Sequence, residues 1–231
     1  MINELLFLLW TLIAISGVLA AFSIGGKPAL YGVIGIYIVL ANIFVTKQIT
    51  LFGLAATGGN SLYGALFLAT DLISEYYGKR EARKAVWFGW ACAFTFLVAS
   101  QVFLLFKPSV DDFVHPAMQT LFELAPRIVA GSLIAYIISQ THDVIAFHFW
   151  KQRTNGKHLW LRNNASTIIS QLIDSLIFSA IAFYGVFPLG IVIQIAVTTY
   201  LLKVMVAVLD TPFMYLSKRF LPTELTNLDR E

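Results

Sequence analysis

Residues 163–175 read Asn163-Asn164-Ala165-Ser166-Thr167-Ile168-Ile169-Ser170-Gln171-Leu172-Ile173-Asp174-Ser175. On a helix, Asn164, Thr167, Gln171, Asp174 and Ser175 fall on one stripe, and the opposite face is isoleucine and leucine. The segment around them is apolar enough to span a bilayer. Lipid offers a helix no water, so such a stripe must face protein or a wet cavity. Ser, Thr and Gln often serve as glue between helices. A carboxylate is too costly for that role alone, at about 3 kcal/mol on insertion scales. The stretch predicts a helix bundle with a polar interior and a solute path through it.

Three more charges lie in spanning stretches: Asp71, Asp143 and Lys203. Asp71 and Glu75 are four apart and share a face; Glu75 lies near the helix end, where Lys79, four further on, is its expected partner. Gln140 and Asp143 are three apart, so a carboxamide stands beside a carboxylate. His142 points away from Asp143, and neither it nor His148 is expected to be a ligand or proton relay. Thr199, Tyr200 and Lys203 share a face. Lys203 needs a counter-charge, which Asp71 or Asp174 could supply. Arg127 opens its span at the edge, and Asp210 precedes Pro212, where a kink is expected.

Composition agrees. The chain has 231 residues, 58% hydrophobic and 13% charged, with mean hydropathy +0.76. Soluble domains carry about 25% charged residues. The expected fold is an all-α integral membrane protein, a single transmembrane domain over residues 1–231. The net charge of +3 says little about nucleic acid, because the basic residues cluster between apolar segments as a topology signal; no nucleic-acid partner is expected. Cys92 is the only cysteine, which excludes an internal disulfide or thiolate metal site. Residues Leu5 to Phe22 lack a basic n-region and read as a retained helix.

A spanning helix needs about 20 residues. Seven are expected: Glu4–Ile24; Ala29–Thr46, after the Gly25-Gly26-Lys27-Pro28 turn; Ser61–Tyr77; Ala85–Phe106; Arg127–Trp150; Asn164–Val186; and Gly190–Phe220, interrupted near Pro212. Ile49–Gly59 is too short to span and reads as a re-entrant or surface stretch. Ser109–Pro126 is wetter and has room for a short interfacial helix. Basic clusters at Lys79 to Lys84 and Lys151 to Arg162, with Lys218, Arg219 and Arg230, mark one side. The positive-inside rule then places the N-terminus outside and the C-terminus in the cytoplasm. Tyr76, Tyr77, Phe147, Phe149 and Trp150 are expected in the interfacial belt beside these clusters. Asp71 precedes Lys79 by eight, as Asp143 precedes Lys151, a faint sign of two parallel repeats.

Carboxylates and carboxamides facing one cavity suit a ligand rich in N–H donors and carbonyl acceptors. A guanine-like edge fits, with Tyr200 and phenylalanines to stack on it. A small cation or an amino acid fits the same set. No phosphate-binding loop is present, so the chain is not itself an ATPase. No H-E-x-x-H or G-x-S-x-G motif supports hydrolase chemistry. No His/Cys cluster suggests a metal, and no cofactor is expected.

The sequence resembles the queuosine precursor transporters, grouped with the vitamin uptake transporters. The resemblance rests on Phe67 to Asp71, the basic Lys79 to Lys84 loop, Arg127 to Ser132, Ala135-Tyr136, Gln140 and Asp143. It continues with Ala165 to Thr167, Asp174, Tyr200, Lys203 and Pro212, and spans roughly residues 30 to 220. It implies import of 7-deazaguanine bases, precursors of the tRNA nucleoside queuosine, across a bacterial inner membrane. It points to Asp71, Arg127, Gln140, Asp143, Gln171, Asp174 and Lys203 as substrate or coupling residues. Asn164, from the polar stripe, and Tyr200 complete the set. In this sequence Gln171 stands where family members can have asparagine, and some members begin at what is here the second helix. The expected activity is secondary import with proton coupling open, not enzymatic. The alternative is the substrate-binding membrane subunit of an ATP-driven uptake system. The expected partners are a purine-like small molecule and the bilayer, with a homodimer left open.

Overall fold

Gly26 bends the first helical stretch back on itself. The computed structural model describes residues 2–123, 126–185, 188–223 and 225, and its first element, α1 (Ile2–Phe44), carries Gly26 at φ 54 and ψ −139. Only glycine adopts that conformation at low cost. The two arms pack together: the Tyr37 hydroxyl donates to the Ala14 carbonyl at 3.1 Å, and the Trp10 and Phe44 rings lie 6.4 Å apart. The two helices expected over 4–24 and 29–46 are these arms.

Next comes a β-hairpin of β1 (Gln48–Leu51) and β2 (Leu54–Thr57), paired antiparallel with Leu51 opposite Leu54. It is the form taken by the stretch expected to be re-entrant or superficial. Phe52 and Gly53 turn it at φ 51 and 77, the two positive φ values a tight hairpin needs. It docks on the start of α1, where Asn3 Nδ2 donates to the Thr50 carbonyl at 3.1 Å and the Phe52 N–H donates to Glu4 Oε1 at 3.0 Å.

Six more α-helices follow among the described residues: α2 (Asn60–Tyr76), α3 (Lys79–Leu104), α4 (His115–Glu123), α5 (Pro126–Arg153), α6 (Leu159–Phe183) and α7 (Leu189–Leu216). A short 3-10 turn, Ser217–Arg219, extends α7. The α4 helix fills the wetter stretch as expected. Two starts differ from expectation. The basic cluster at 79–84 is the opening of α3 and not a loop, because the break is made by Gly78 at φ 84. Likewise α6 begins at Leu159, after His158 at φ 56. The α7 helix runs helically through Pro212, which neighbours in a membrane bundle tolerate. Val186 and Arg230, included in the sequence reading, lie outside the described residues.

Among the described residues, four helical stretches are long and apolar enough to cross a membrane: Ile2–Phe44, Lys79–Leu104, Leu159–Phe183 and Leu189–Arg219. Of the other two long helices, α2 has 17 residues and α5 carries Gln140, His142 and Asp143 mid-length. The α2 helix is buried on every face from Asn60 to Ser74, so it sits at the bundle centre. Space there is tight, since a Cβ at Gly64 would land on the Val206 side chain. The outside carries exposed apolar side chains such as Leu5, Leu9, Ile36, Val98, Ile138, Leu176 and Ile193, suited to lipid.

Helix directions follow from pairs of contacts. Asp143 meets Thr167, His142 meets Ser170 and Ser139 meets Asp174, so α5 and α6 are antiparallel. Tyr63 meets Ser132 and Glu75 meets Lys151, so α2 and α5 are parallel. Lys203 meets Asp174 and Asp210 meets Asn163, which makes α7 antiparallel to α6.

Candidate functional site

The inward faces of α2, α5, α6 and α7 form a polar column along the bundle axis. At one level the Lys203 ammonium pairs with Asp174 Oδ2. Asp174 Oδ1 also accepts from the Ser139 hydroxyl at 3.2 Å. The same ammonium lies 4.5 Å from the centroid of the Tyr63 ring, and the Tyr63 and Ser132 hydroxyls are 2.5 Å apart. Asp174 and Lys203 are each about 3% exposed, so neither charge is answered by bulk water. Val45, Asn60, Phe178 and Thr199 help enclose a cavity of about 10 Å³ beside the pair. That is room for about one water.

The antiparallel register puts Gln140 of α5 level with Gln171 of α6. Both are fully buried. Neither the oxygen nor the nitrogen of either carboxamide has a hydrogen-bond partner among the described residues. An unpaired buried polar group costs about 1–3 kcal/mol, and four such atoms share this one layer.

Below this layer the Thr167 hydroxyl lies 3.4 Å from Asp71 Oδ2 and 3.3 Å from Asp143 Oδ1. Its single proton serves one carboxyl at a time. Both acids are fully buried, and no cation pairs with either among the described residues. One turn further, Asn163 Nδ2 donates to Asp210 Oδ1 at 2.9 Å.

The column closes at the basic end. Glu75 takes Arg162 at 2.5 Å and Lys151 at 3.0 Å. Arg162 is 2% exposed; it also donates to the Gly156 carbonyl at 2.8 Å and lies against the Phe147 ring. From Tyr63 to Glu75 the column runs about 18 Å by helical rise.

The structure gathers Asp71, Gln140, Asp143, Gln171, Asp174 and Lys203 in this column. It leaves three of the sequence-derived residues at its margins. Arg127 stands at the opposite end, where its Nε donates to the Ile181 carbonyl at 2.7 Å and its Nη2 donates to the Tyr184 carbonyl, closing the carboxyl end of α6. Asn164 is half-buried and bonds Thr211 Oγ1 at 2.7 Å. Tyr200 is half-buried, and the ring that meets the lysine is Tyr63.

Other partners also differ from the sequence reading. Of the two acids offered for Lys203, the structure uses Asp174. Glu75 pairs across the bundle and not with Lys79, because Gly78 breaks the helix between them. That break also limits the repeat: α2 stops at Tyr76, whereas α5 continues past Lys151. Phe147, expected in an interfacial belt, is fully buried. His142 is half-buried and shares a 2.9 Å hydrogen bond with Ser170. Sequence reading missed Tyr63, Ser139 and Asn163. Asn163 had a signal, since 163, 167, 170 and 174 are spaced by three and four. Tyr63 and Ser139 had none beyond lying in spanning helices.

A family model described as "Putative vitamin uptake transporter" matches residues 57–217, which contain the whole column. A "Probable queuosine precursor transporter" of Bacillus subtilis (strain 168) is 40% identical over 225 residues, covering 97% of this chain and 98% of that protein. The "Queuosine precursor transporter" of Escherichia coli (strain K12) is 29% identical over 180 residues, 76% of this chain and 78% of that one. A "Probable queuosine precursor transporter" of Haemophilus influenzae is 31% identical over 156 residues, 64% and 63% of the two chains. No solved structure matches.

Proposed function

The chain belongs to the queuosine precursor transporter family, and we propose that it carries 7-deazaguanine bases across the bacterial plasma membrane through the polar column. The family is one of transporters and not of enzymes, and the protein is a multi-pass protein of that membrane. The observation that carries the reading is the layer of carboxamides, Gln140 and Gln171, unpartnered among the described residues and beside the Asp174–Lys203 pair.

A deazaguanine offers a ring N–H and an exocyclic amine side by side, and together they can donate to one carboxylate. Asp174 is the carboxylate available for that edge once Lys203 swings aside. Each glutamine both donates and accepts, so the pair can read the carbonyl and the remaining ring nitrogens. Tyr63 offers the flat face on which a bicyclic ring stacks. The cavity of about 10 Å³ is far smaller than a base, so loading requires the helices around the pair to part. Rocking of that kind, around a site near mid-membrane, is how secondary transporters alternate access.

Asp71, Thr167 and Asp143 lie on the path from this site to the basic end. In this reading they hand the base on, or carry a proton with it. This reading takes seven passes, two of them in α1 and one each in α2, α3, α5, α6 and α7. The N-terminus is then outside and the C-terminus cytoplasmic.

Thermal unfolding of the purified protein with a panel of 7-deazaguanine bases tests the binding claim. A ligand that binds only the folded state raises the transition temperature. Stabilisation of the wild type by one of the bases, and none of Asp174→Asn, is expected. Equal stabilisation of both would place the site elsewhere.

A further inference from the structure

We propose that the opening of α3 holds the headgroup of an anionic phospholipid. Lys79, Arg80, Arg83, Lys84 and Trp87 line one shallow surface depression along a single face of α3. The acid beside it, Glu81, is already engaged by Lys84 at 2.6 Å and by Lys27 at 3.1 Å. Among the described residues no carboxylate pairs with Lys79, Arg80 or Arg83. These cations stand on the first two turns of α3, whose amino end no side chain caps, so the helix dipole adds to their field.

Membrane topology alone requires that basic residues lie on one side. It does not require them to share one open face of α3 with an aromatic lip. Trp87 is 60% exposed at that lip, and its ring packs edge-on to Trp90 with centroids 6.0 Å apart. Trp90 in turn stacks on Phe94 at 5.3 Å and 4°. Phe94, Val98 and Val102 carry the exposed apolar strip on along α3. Cations above an apolar strip match a phosphate above an acyl chain, and basic pockets at this depth are sites for acidic lipid headgroups. A soluble phosphate would use the cations and leave the strip without a role.

Trp87 is the reporter. A variant keeping Trp87 alone, with Trp10, Trp90, Trp150 and Trp160 changed to Phe, is reconstituted in phosphatidylcholine vesicles. Dibrominated phosphatidylglycerol is compared with dibrominated phosphatidylcholine at equal mole fraction. Quenching at least about twofold stronger by the anionic lipid is expected, from its enrichment at the cations. The preference should vanish in Lys79→Gln/Arg80→Gln/Arg83→Gln. Equal quenching by both lipids would overturn the proposal. So would loss of the preference on adding inorganic phosphate at fixed ionic strength, which would assign the depression to a soluble anion. Native mass spectrometry of the unmodified chain gives a second reading: phosphatidylglycerol retained over phosphatidylcholine is expected, and equal retention would contradict it.

Discussion

Lys203 and Asp174 depend on one another for their burial. Each is about 3% exposed, and Lys203 has no other carboxylate among its described partners. Removing one member of a buried pair typically costs about 3–5 kcal/mol, because the other charge is left alone. Replacing both with neutral groups of similar size is often tolerated. Lys203→Met should therefore lower the thermal transition clearly, and Lys203→Met/Asp174→Asn should restore most of it without restoring uptake. A double variant as unstable as the single would show that the pair is not the reason these charges are tolerated. This pair was legible only in part. The sequence placed both charges at bilayer depth, but Asp71 and Asp174 were equally good partners on paper. Only the register of α6 against α7 decides between them.

At the level of helices, two contacts set how the bundle closes. Gly64 lets α7 lie directly on α2, so Gly64→Val must drive Val206 away. Overpacking of that kind costs about 1–3 kcal/mol, and a lowered thermal transition in detergent is the expected outcome. A transition unchanged from wild type would mean that α2 and α7 can separate freely. At the basic end, Glu75 joins α2 to α5 and α6 through Lys151 and Arg162. Glu75→Gln leaves the nearly inaccessible Arg162 without its carboxylate. That end should then open more often. In a Cys92→Ser background, a cysteine replacing the fully buried Ser166 should react faster with a polar maleimide when Glu75 is Gln. Identical rates would remove Glu75 from the closure. Apolar runs and glycine turns made most of the helices legible, including both arms of α1. The starts of α3 and α6 were not, because charged and aromatic residues at a membrane surface continue a helix as readily as they end one. The Glu75 partners were hidden for a related reason: spacing along the chain says nothing once a positive-φ glycine intervenes.

For the whole molecule, topology is the first test. Seven passes with the N-terminus outside require opposite faces for the two ends. A reporter active only in the cytoplasm should work when fused after Arg219 and fail when fused before Asn3; the same activity at both ends would call for an even number of passes. The membrane class and the family were readable from composition and motif. The order of layers in the column was not, since it depends on how four helices register. The same column suits a transporter acting alone or a subunit lent energy by an ATPase. The most direct measurement is uptake of a radiolabelled 7-deazaguanine base into liposomes containing only this purified chain. The account predicts saturable accumulation by the wild type and none by Asp174→Asn, with both proteins inserted to the same extent. No uptake by the wild type, or equal uptake by the two, would contradict it.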